Sequence, residues 1–265
     1  MKYTFGFIGT GNMGGALAKA AAKVLPPEEL LLSNRTFAKA EALAAQLGCK
    51  AASVEETAKN SRFLFLGVKP QMMKALFDTI APILPDSVIL VSMAAGLTME
   101  DIRAMAGKKY PVIRIMPNTP VAVGSGVILY DATENVPAKA LEEFCHGLSQ
   151  GGLLDRLPEK LIDAGSAVAG CGPAFACMFM EALADGSVAC GLPRDKAIRY
   201  AARMLEGTAK LLLETGNHPG AMKDAVCSPG GSTIAGVRAL EQGGFRAAAM
   251  NAVEEAYYRT KELGK

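Results

Sequence analysis

The sequence has 265 residues, half of them apolar and a fifth charged, and its formal net charge is +2. The composition is ordinary for a folded globular protein, and the length favours two domains over one. Such a small net charge provides no basic field for nucleic acid and no polybasic patch for a membrane, and the absence of tryptophan gives little support for base stacking.

Residues 1–25 superficially resemble a signal peptide, because a lysine precedes an apolar stretch with small residues. Gly9, Thr10, Gly11 and Asn12 interrupt that stretch, and the glycine motif described below explains them better. No window has about 18 consecutive apolar residues. We therefore expect no membrane span and a cytoplasmic protein.

The six cysteines include no CxxC pair and no Cys/His cluster, and His146 and His218 each stand alone. This pattern predicts free, mostly buried thiols in a reducing compartment, no disulfide and no metal site.

From residue 1 to about 150, short apolar runs alternate with helical patterns. The strand-like runs are TFGFI, LLLSN, RFLFLGV, VILVSM and PVIRIM, with helix-like segments such as residues 36–48 and 69–80 between them. Alternation of this kind predicts a parallel sheet with crossover helices that cover both of its faces.

The first strand leads into a glycine-rich loop. Gly9, Gly11 and Gly14 have GxGxxG spacing and precede an alanine-rich helix pattern. In a dinucleotide-binding turn the first glycine permits the tight turn, the second lets the backbone approach a pyrophosphate, and the third lets helix and strand pack closely. The motif therefore predicts a Rossmann-type nucleotide site that includes Asn12 and Met13, with a purely structural glycine turn as the alternative.

The end of the second strand indicates which nucleotide is bound. An NAD site usually has a carboxylate about 20 residues beyond the glycines, but this chain has Ser33, Asn34 and Arg35 there. A guanidinium matches a phosphate in charge and geometry. The sequence thus predicts NADPH, with NADH also possible; alternatively, Arg35 is only a solvated residue at a helix start.

The ends of later strands should complete the nucleotide site, because ligands of open parallel sheets lie outside the carboxyl ends of the strands. The candidates are Val68, Lys69 and Pro70 after the fourth strand, Ala94, Ala95 and Gly96 after the fifth, and Asn118 after the sixth. Asn118 and Thr119 either contact the nicotinamide carboxamide or only form a turn.

After about residue 160 the strand patterns stop. Residues 161–170, 173–191, 193–216, 234–241 and 244–263 have helical patterns separated by glycine and proline. Several of these helices are apolar on more than one side and so need neighbours on several sides. We expect a homodimer formed through these helices, with a compact monomeric helical cap as the alternative. The predicted architecture is α/β: a Rossmann-type doubly wound parallel sheet in residues 1–158, then an all-α dimerisation domain in residues 159–265.

The segment SPGGST, residues 228–233, interrupts this helical half. A Ser-Pro turn followed by Gly230 and Gly231 leaves the backbone N–H groups at the next helix start accessible to an anion such as a small carboxylate. Ser228 can add a hydroxyl donor, and Thr233 can bond a second polar atom of the same ligand. The alternative is an ordinary N-cap with a glycine hinge. Both interpretations predict a helix that begins near Ser232.

The helical half has no His–Asp pair and no lysine in a glycine-rich setting. Carbonyl reduction needs a proton donor for the alkoxide, whereas a protonated imine already carries the charge that a hydride neutralises. The residues therefore favour imine reduction.

The segments FIGTGNMGGAL, SNRT, VKPQ, MAAG, MPNTP, CGPAF and KDAVCSPGGSTIAGVRALEQGGFRAAAMNAV occur in this order between Phe5 and Leu263. In these motifs the sequence resembles the pyrroline-5-carboxylate reductase family. The resemblance implies reduction of 1-pyrroline-5-carboxylate to L-proline with NADPH. It also implies a dimer of interlocked helical halves, which can assemble into larger rings.

The resemblance assigns roles to individual residues. Ser228 and the backbone of Gly230, Gly231 and Ser232 would hold the substrate carboxylate. Thr233 would bond the ring nitrogen as the catalytic residue, and Asn34 and Arg35 would meet the 2′-phosphate.

One segment departs from the family. Cys171 and Phe175 stand where it commonly has serine and tyrosine, so two hydroxyls are absent. Three other functions stay open: reduction of a related cyclic imine carboxylate, reduction of a carbonyl by a two-domain reductase, and non-catalytic sensing of NADPH.

Overall fold

The computed structural model describes residues 2–263. They form two compact units. The first contains the chain up to Cys171 and again from Ala256, and the second contains Gly172–Glu255.

The first unit is built on an eight-stranded sheet in the order β3-β2-β1-β4-β5-β6-β7-β8. Its strands are Tyr3–Ile8 (β1), Leu30–Ser33 (β2), Lys50–Ala51 (β3), Ser61–Leu66 (β4), Ile89–Ser92 (β5), Val112–Pro117 (β6), Gly126–Ala132 (β7) and Gly152–Arg156 (β8). Strands β1 to β6 pair in parallel, and β1 lies between β2 and β4. The predicted Rossmann-type sheet is therefore confirmed.

Seven helices lie within the first unit, of which six connect these strands and the last follows β8. They are Asn12–Ala21 (α1), Phe37–Leu47 (α2), Val54–Asn60 (α3), Met73–Ile80 (α4), Met99–Ala106 (α5), Ala138–Gly147 (α6) and Glu159–Ala169 (α7). Short 3₁₀ turns occur at Pro27–Glu29, Pro70–Met72, Ala81–Ile83, Thr119–Val123 and Ser149–Gly151.

Helices cover both faces of the sheet, which makes the fold doubly wound and buries its strands on both sides. In β4, Phe63 and Phe65 join the core on the side of α1, α2 and α6, whereas Leu64 and Leu66 join the core on the side of α3, α4 and α5. Successive side chains of a strand point to opposite faces, so a continuous apolar run serves two cores at once.

The last two strands depart from the predicted parallel sheet. Strand β7 runs antiparallel to β6, and β8 pairs in parallel with β7. Neither strand is among those predicted from the sequence. β7 follows the turn residues Gly124 and Ser125 and begins at Gly126, which marks its start as a turn although the apolar run of residues 127–130 follows. β8 lies at the sheet edge and ends in the exposed Asp155 and Arg156, which hides the apolar pattern of a strand.

The second unit is helical, as predicted. Its helices are Gly172–Ala189 (α8), Arg194–Thr215 (α9), Pro219–Ala225 (α10), Ser232–Gln242 (α11) and Phe245–Leu263 (α12), of which α12 continues into the first unit. The helix predicted to begin near Ser232 is α11, so that prediction is confirmed. The sequence analysis missed α10, a short helix rich in polar and small residues.

This unit has almost no apolar core of its own. Ala184, Ala197 and Ala201 are the only buried apolar side chains of residues 172–255. Large side chains such as Met178 and Leu213 are 70% and 83% exposed. A mostly apolar cavity of about 710 Å³ lies open between α9 and α10. A compact monomeric cap would have buried these side chains.

One stretch of the described chain, Glu159–Ala189 in α7 and α8, is long and apolar enough to cross a bilayer, by length and composition alone. Only 11% of its apolar window is buried in the single chain. Glycines and polar residues interrupt its apolar runs, so the sequence contains no continuous apolar window that would predict a membrane span here.

All six cysteines are free. The expectation of mostly buried thiols is wrong, because Cys177 and Cys190 are exposed and the other four are half-buried. Four of the six lie between Cys171 and Cys227, in the part of the chain that has little core.

Replacing Phe144 by Ala should lower the free energy of unfolding by about 3–5 kcal/mol, since it removes a fully buried ring. The ring stands 5.9 Å from Phe63 and 6.0 Å from Phe65 between centroids. Denaturant unfolding measures the change. Val123→Ala is the control, because Val123 is 75% exposed, and equal losses in both variants would contradict this description of the core.

Candidate active site

The glycine-rich loop after β1 is shaped by close backbone contacts. Gly9 has φ = +99°, which L side chains rarely adopt. A Cβ on Gly9 would overlap the carbonyl of Gly67, and a Cβ on Gly14 would overlap the carbonyl of Gly9. These positions therefore need glycine for the packing of β1, β4 and α1.

Gly11 has a different role, because nothing lies within 4 Å of the place where its Cβ would be. It is the N-cap of α1, it provides no side-chain cap, and the first turn contains no acidic residue. The N–H groups at the start of α1 are thus left to bond an anion in front of them.

Two buried hydroxyls beside this loop have no hydrogen-bond partner among the described residues. They are Thr10 Oγ1 and Ser33 Oγ, on residues that are 9% and 1% exposed. The Gly9 N–H donates to Ser33 O at 2.8 Å, so the ends of β1 and β2 lie side by side. Buried polar atoms in proteins are nearly always satisfied, so these orphans indicate a place where a polar ligand belongs.

Asn34 and Arg35 follow Ser33 at the end of β2. Asn34 Nδ2 donates to Thr36 O at 3.2 Å, which fixes the turn into α2. Arg35 is exposed and forms no ion pair within residues 2–263. The N-cap of α2, Thr36, makes no side-chain cap, so a free cation lies next to an uncapped helix start.

A cavity of about 530 Å³ opens along α1 from this loop. It is lined by Thr10, Gly11, Asn12, Gly15, Ala16, Lys19, Lys39, Leu43, Thr119 and Ala122. Lys19 and Lys39 are cations that the sequence analysis missed, because lysines in helices are usually solvated. Only the packing of α2 beside α1 brings them to one cavity.

The loops after β4 and β5 lie where the sequence analysis expected them, at the carboxyl ends of these strands. Lys69 is exposed as the N-cap of a 3₁₀ turn that Pro70 begins, and Val68 is half-buried. Ala94 is buried, and Gly96 takes φ = +77° before α5 begins.

Asn118 is buried at the end of β6, and its carboxamide bonds protein groups on both sides. Its Oδ1 accepts from Val127 N at 2.8 Å, and its Nδ2 donates to Ala169 O at 3.0 Å. Both polar atoms of the Asn118 side chain are thus bonded to backbone groups.

The second unit contains the other predicted site, at the start of α11. Gly231 is the N-cap and supplies no side chain to the first turn, which contains no acidic residue. Gly230 takes φ = +70°, and Gly231 N donates to Ser228 O at 3.0 Å, which closes the turn. Ser228 and Thr233 are exposed beside this helix start, and Ser232 is its first residue. The arrangement offers N–H and hydroxyl donors to one small anion.

Lys223 lies close in sequence to this helix start. Its hydrogen bond to Asp224 raises the pKa of the Lys223 amine above its usual value. The amine is therefore a cation at neutral pH and a poor proton acceptor. No group of metal-ligating side chains occurs among residues 2–263.

These features fit a phosphorylated dinucleotide in the first unit. The uncapped start of α1 faces the open space at Gly11, two orphaned hydroxyls lie beside it, and free cations surround it. The start of α11 in the second unit fits a small carboxylate.

Comparison with known proteins agrees with this arrangement. Residues 159–263 match the family model "Pyrroline-5-carboxylate reductase dimerisation", and residues 4–96 match "NADP oxidoreductase coenzyme F420-dependent". The chain is 39% identical to the pyrroline-5-carboxylate reductase of Pisum sativum, covering 98% of this chain and 96% of the relative. It is 38% identical to that of Escherichia coli, with both chains fully covered.

Among solved structures, the crystal structure of Plasmodium falciparum pyrroline carboxylate reductase with NADP bound matches with a TM-score of 0.90. It is 29% identical and covers 99% of this chain and 98% of the other.

Gly14→Ala should destabilise the protein by about 1–3 kcal/mol, because the new methyl group would overlap the Gly9 carbonyl. Gly11→Ala should change stability by less than about 1 kcal/mol, because its methyl group enters open space. Thermal unfolding compares the two, and a Gly11→Ala variant as unstable as Gly14→Ala would contradict the geometry of the loop.

Proposed function

The chain belongs to the pyrroline-5-carboxylate reductase family, and we propose that it catalyses the last step of proline biosynthesis, the NADPH-dependent reduction of 1-pyrroline-5-carboxylate to L-proline. The observation that carries this proposal is the uncapped, glycine-flanked start of α11, in a chain that matches reductases of this name over their full length. That helix start suits a small carboxylate.

NADPH binds to the first unit in this proposal. Gly9, Gly11 and Gly14 shape the pyrophosphate site, with Asn12 and Met13 at the helix start. Ser33, Asn34 and Arg35 form the 2′-phosphate site, and the cation of Lys39 in the adjoining cavity supports it. The loops Val68–Pro70 and Ala94–Gly96 line the rest of the nucleotide, and Asn118 holds the backbone beside it. When bound, NADPH supplies the hydride.

The substrate carboxylate binds to the helix start formed by Gly230, Gly231 and Ser232, with Ser228 as an additional donor. Thr233 bonds the ring nitrogen and orients the C=N bond. The protonated imine accepts the hydride at carbon, and the electron pair of the C=N bond moves to nitrogen, giving the amine of proline. No side chain has to deliver a proton in this step, so the protein contributes mainly positioning.

The helices of residues 159–263 form a dimerisation domain. We propose a homodimer through them, because the exposed apolar side chains and the open apolar cavity of the second unit need a partner. A second copy that covers α8 would also bury the long apolar stretch Glu159–Ala189. Further assembly into a ring of dimers is testable by sedimentation. Residues 1–158 and 159–265 then act as the nucleotide domain and the substrate and dimerisation domain.

We place the protein in the cytoplasm, where NADPH is available and its six thiols stay reduced. The near-neutral net charge gives no reason for a nucleic-acid or membrane partner.

The assay that tests the function follows NADPH oxidation by absorbance with 1-pyrroline-5-carboxylate, with NADH in parallel. Substrate-dependent oxidation with proline as the product is the expected result. NADPH binding without turnover would instead favour a nucleotide sensor, and turnover of simple keto acids would favour a carbonyl reductase.

Thr233→Ala should lower kcat/KM by about one to two orders of magnitude, because it removes the oriented hydroxyl oxygen that accepts a hydrogen bond from the protonated ring nitrogen. Thr233→Ser retains the hydroxyl and should stay within a few-fold of the wild type. Steady-state kinetics with both variants make the comparison, and unchanged kinetics in Thr233→Ala would remove this residue from the mechanism.

Arg35→Ala should raise the KM for NADPH about tenfold or more, since a hydrogen bond to a charged group contributes about 1.5–3 kcal/mol. The KM for NADH should not change, because NADH has no 2′-phosphate. Lys74→Ala is a control of similar charge, on an exposed lysine paired with Asp78 on α4. A parallel rise in both KM values would contradict the assignment of Arg35.

A further inference from the structure

The largest fully buried side chain of the protein is the guanidinium side chain of Arg114, in the middle of β6 and 2% exposed. Its Nη2 donates to Asp163 at 2.5 Å, and its Nη1 lies 3.7 Å from Glu159 Oε1. Both carboxylates belong to α7. A buried ion pair is weak evidence for stability, because desolvation offsets most of the attraction between the two charges. The other contacts of its carboxylates indicate which parts of the chain this ion pair positions.

Glu159 has a second contact, beyond the ion pair. Its Oε1 accepts a hydrogen bond of 2.6 Å from the backbone N–H of Met99, the first residue of α5. Its own N–H donates to Asp131 Oδ2 at 2.8 Å, which attaches the start of α7 to β7. One carboxylate therefore connects α7, β6 and the segment that enters α5.

The segment before Met99 is the loop after β5. Ala95 of this loop packs against the apolar cluster of Met116, Leu129 and Ile162, and Ile162 also lies on α7. The other end of α7 is held by the hydrogen bond from Asn118 to Ala169. Helix α7 thus holds the loop after β5 at one end and the loop after β6 at the other.

We propose that Glu159 is a positioning residue for hydride transfer. Its hydrogen bond to Met99 fixes the Ala94–Thr98 loop, against which the nicotinamide half of the cofactor is held. The inference rests on the proposed function, in which the loops after β4 and β5 line the part of NADPH beyond the pyrophosphate, its nicotinamide half, outside the carboxyl ends of the strands. Small displacements of reacting groups have large effects on rate, whereas the distant adenine and phosphate contacts should keep the affinity for NADPH unchanged.

The test compares Glu159→Ala with Glu159→Gln. Alanine removes the acceptor for the Met99 N–H, whereas glutamine retains an amide oxygen in its place. The matched control is Glu143→Ala, because Glu143 is 29% exposed against 27% for Glu159 and pairs with Arg62 on the same unit. Asp163 remains beside Arg114 in every variant, so the buried guanidinium keeps a partner.

We expect Glu159→Ala to lower kcat about tenfold, with less than about a twofold change in the dissociation constant of NADPH. Glu159→Gln and Glu143→Ala should retain the wild-type kcat. NADPH deuterated at the transferred position should give a larger isotope effect on kcat in Glu159→Ala. A loss of folded protein alone would not produce that effect.

Hydrogen exchange of the full chain without cofactor supplies a readout besides activity. The Met99 amide should exchange faster in Glu159→Ala than in Glu159→Gln or Glu143→Ala.

Equal kcat losses in the Ala and Gln variants, an unchanged kcat in Glu159→Ala, or unaltered exchange at Met99 would each overturn the inference. A wild-type chain that binds NADPH but does not reduce the imine would refute the proposed function, and with it the catalytic consequence of the Met99 contact. The exchange data would still report on that contact.

Discussion

The nucleotide site depends on how closely three backbone segments approach one another at Gly9, Gly14 and Gly67. No side chain larger than hydrogen fits at these contacts, and so the turn after β1, the start of α1 and the end of β4 are fixed relative to one another. Their packing also brings Ser33 to the Gly9 N–H. Gly11 is left as the one glycine of the motif with open space beside it, which is where a phosphate needs room.

In the rest of the first unit, packing and hydrogen bonds position the loops after β5 and β6. Apolar packing holds the sheet on both faces, but the loops are held by polar contacts, among which those of Asn118 and Glu159 reach backbone groups directly. Polar contacts have strict geometric requirements and apolar contacts do not. Burial away from water makes the sheet core apolar, with side chains such as phenylalanine and leucine, whereas carboxamide and carboxylate groups hold backbone groups beside the loops after β5 and β6.

The second unit differs from the first in how it is stabilised. Its helices place few side chains in a core of their own, and they leave apolar surface and an open cavity in the single chain. The free energy that such surface supplies on burial becomes available only when a second copy covers it. In the proposed homodimer the stability and the assembly of this half are linked, and the proposed anion site at the start of α11 lies in this half.

The sequence by itself determined the Rossmann-type sheet, the helical second half and the helix start at Ser232, because these depend on local signals: apolar runs, glycine spacing and turn residues. It also determined which residues lie in the glycine loop and at the ends of β2, β4 and β5. The structure alone decided how β7 and β8 join the sheet, since the antiparallel pairing of β7 with β6 and the parallel pairing of β8 with β7 depend on packing and not on a local sequence pattern. It also decided that Asn118 bonds Val127 and Ala169, that Lys39 shares a cavity with Gly11, and that Glu159 reaches Met99. Apart from the Asn118–Val127 bond, which spans nine residues, these contacts join residues far apart in the chain. Packing sets the distance between such residues, and the sequence pattern contains no local signal for it.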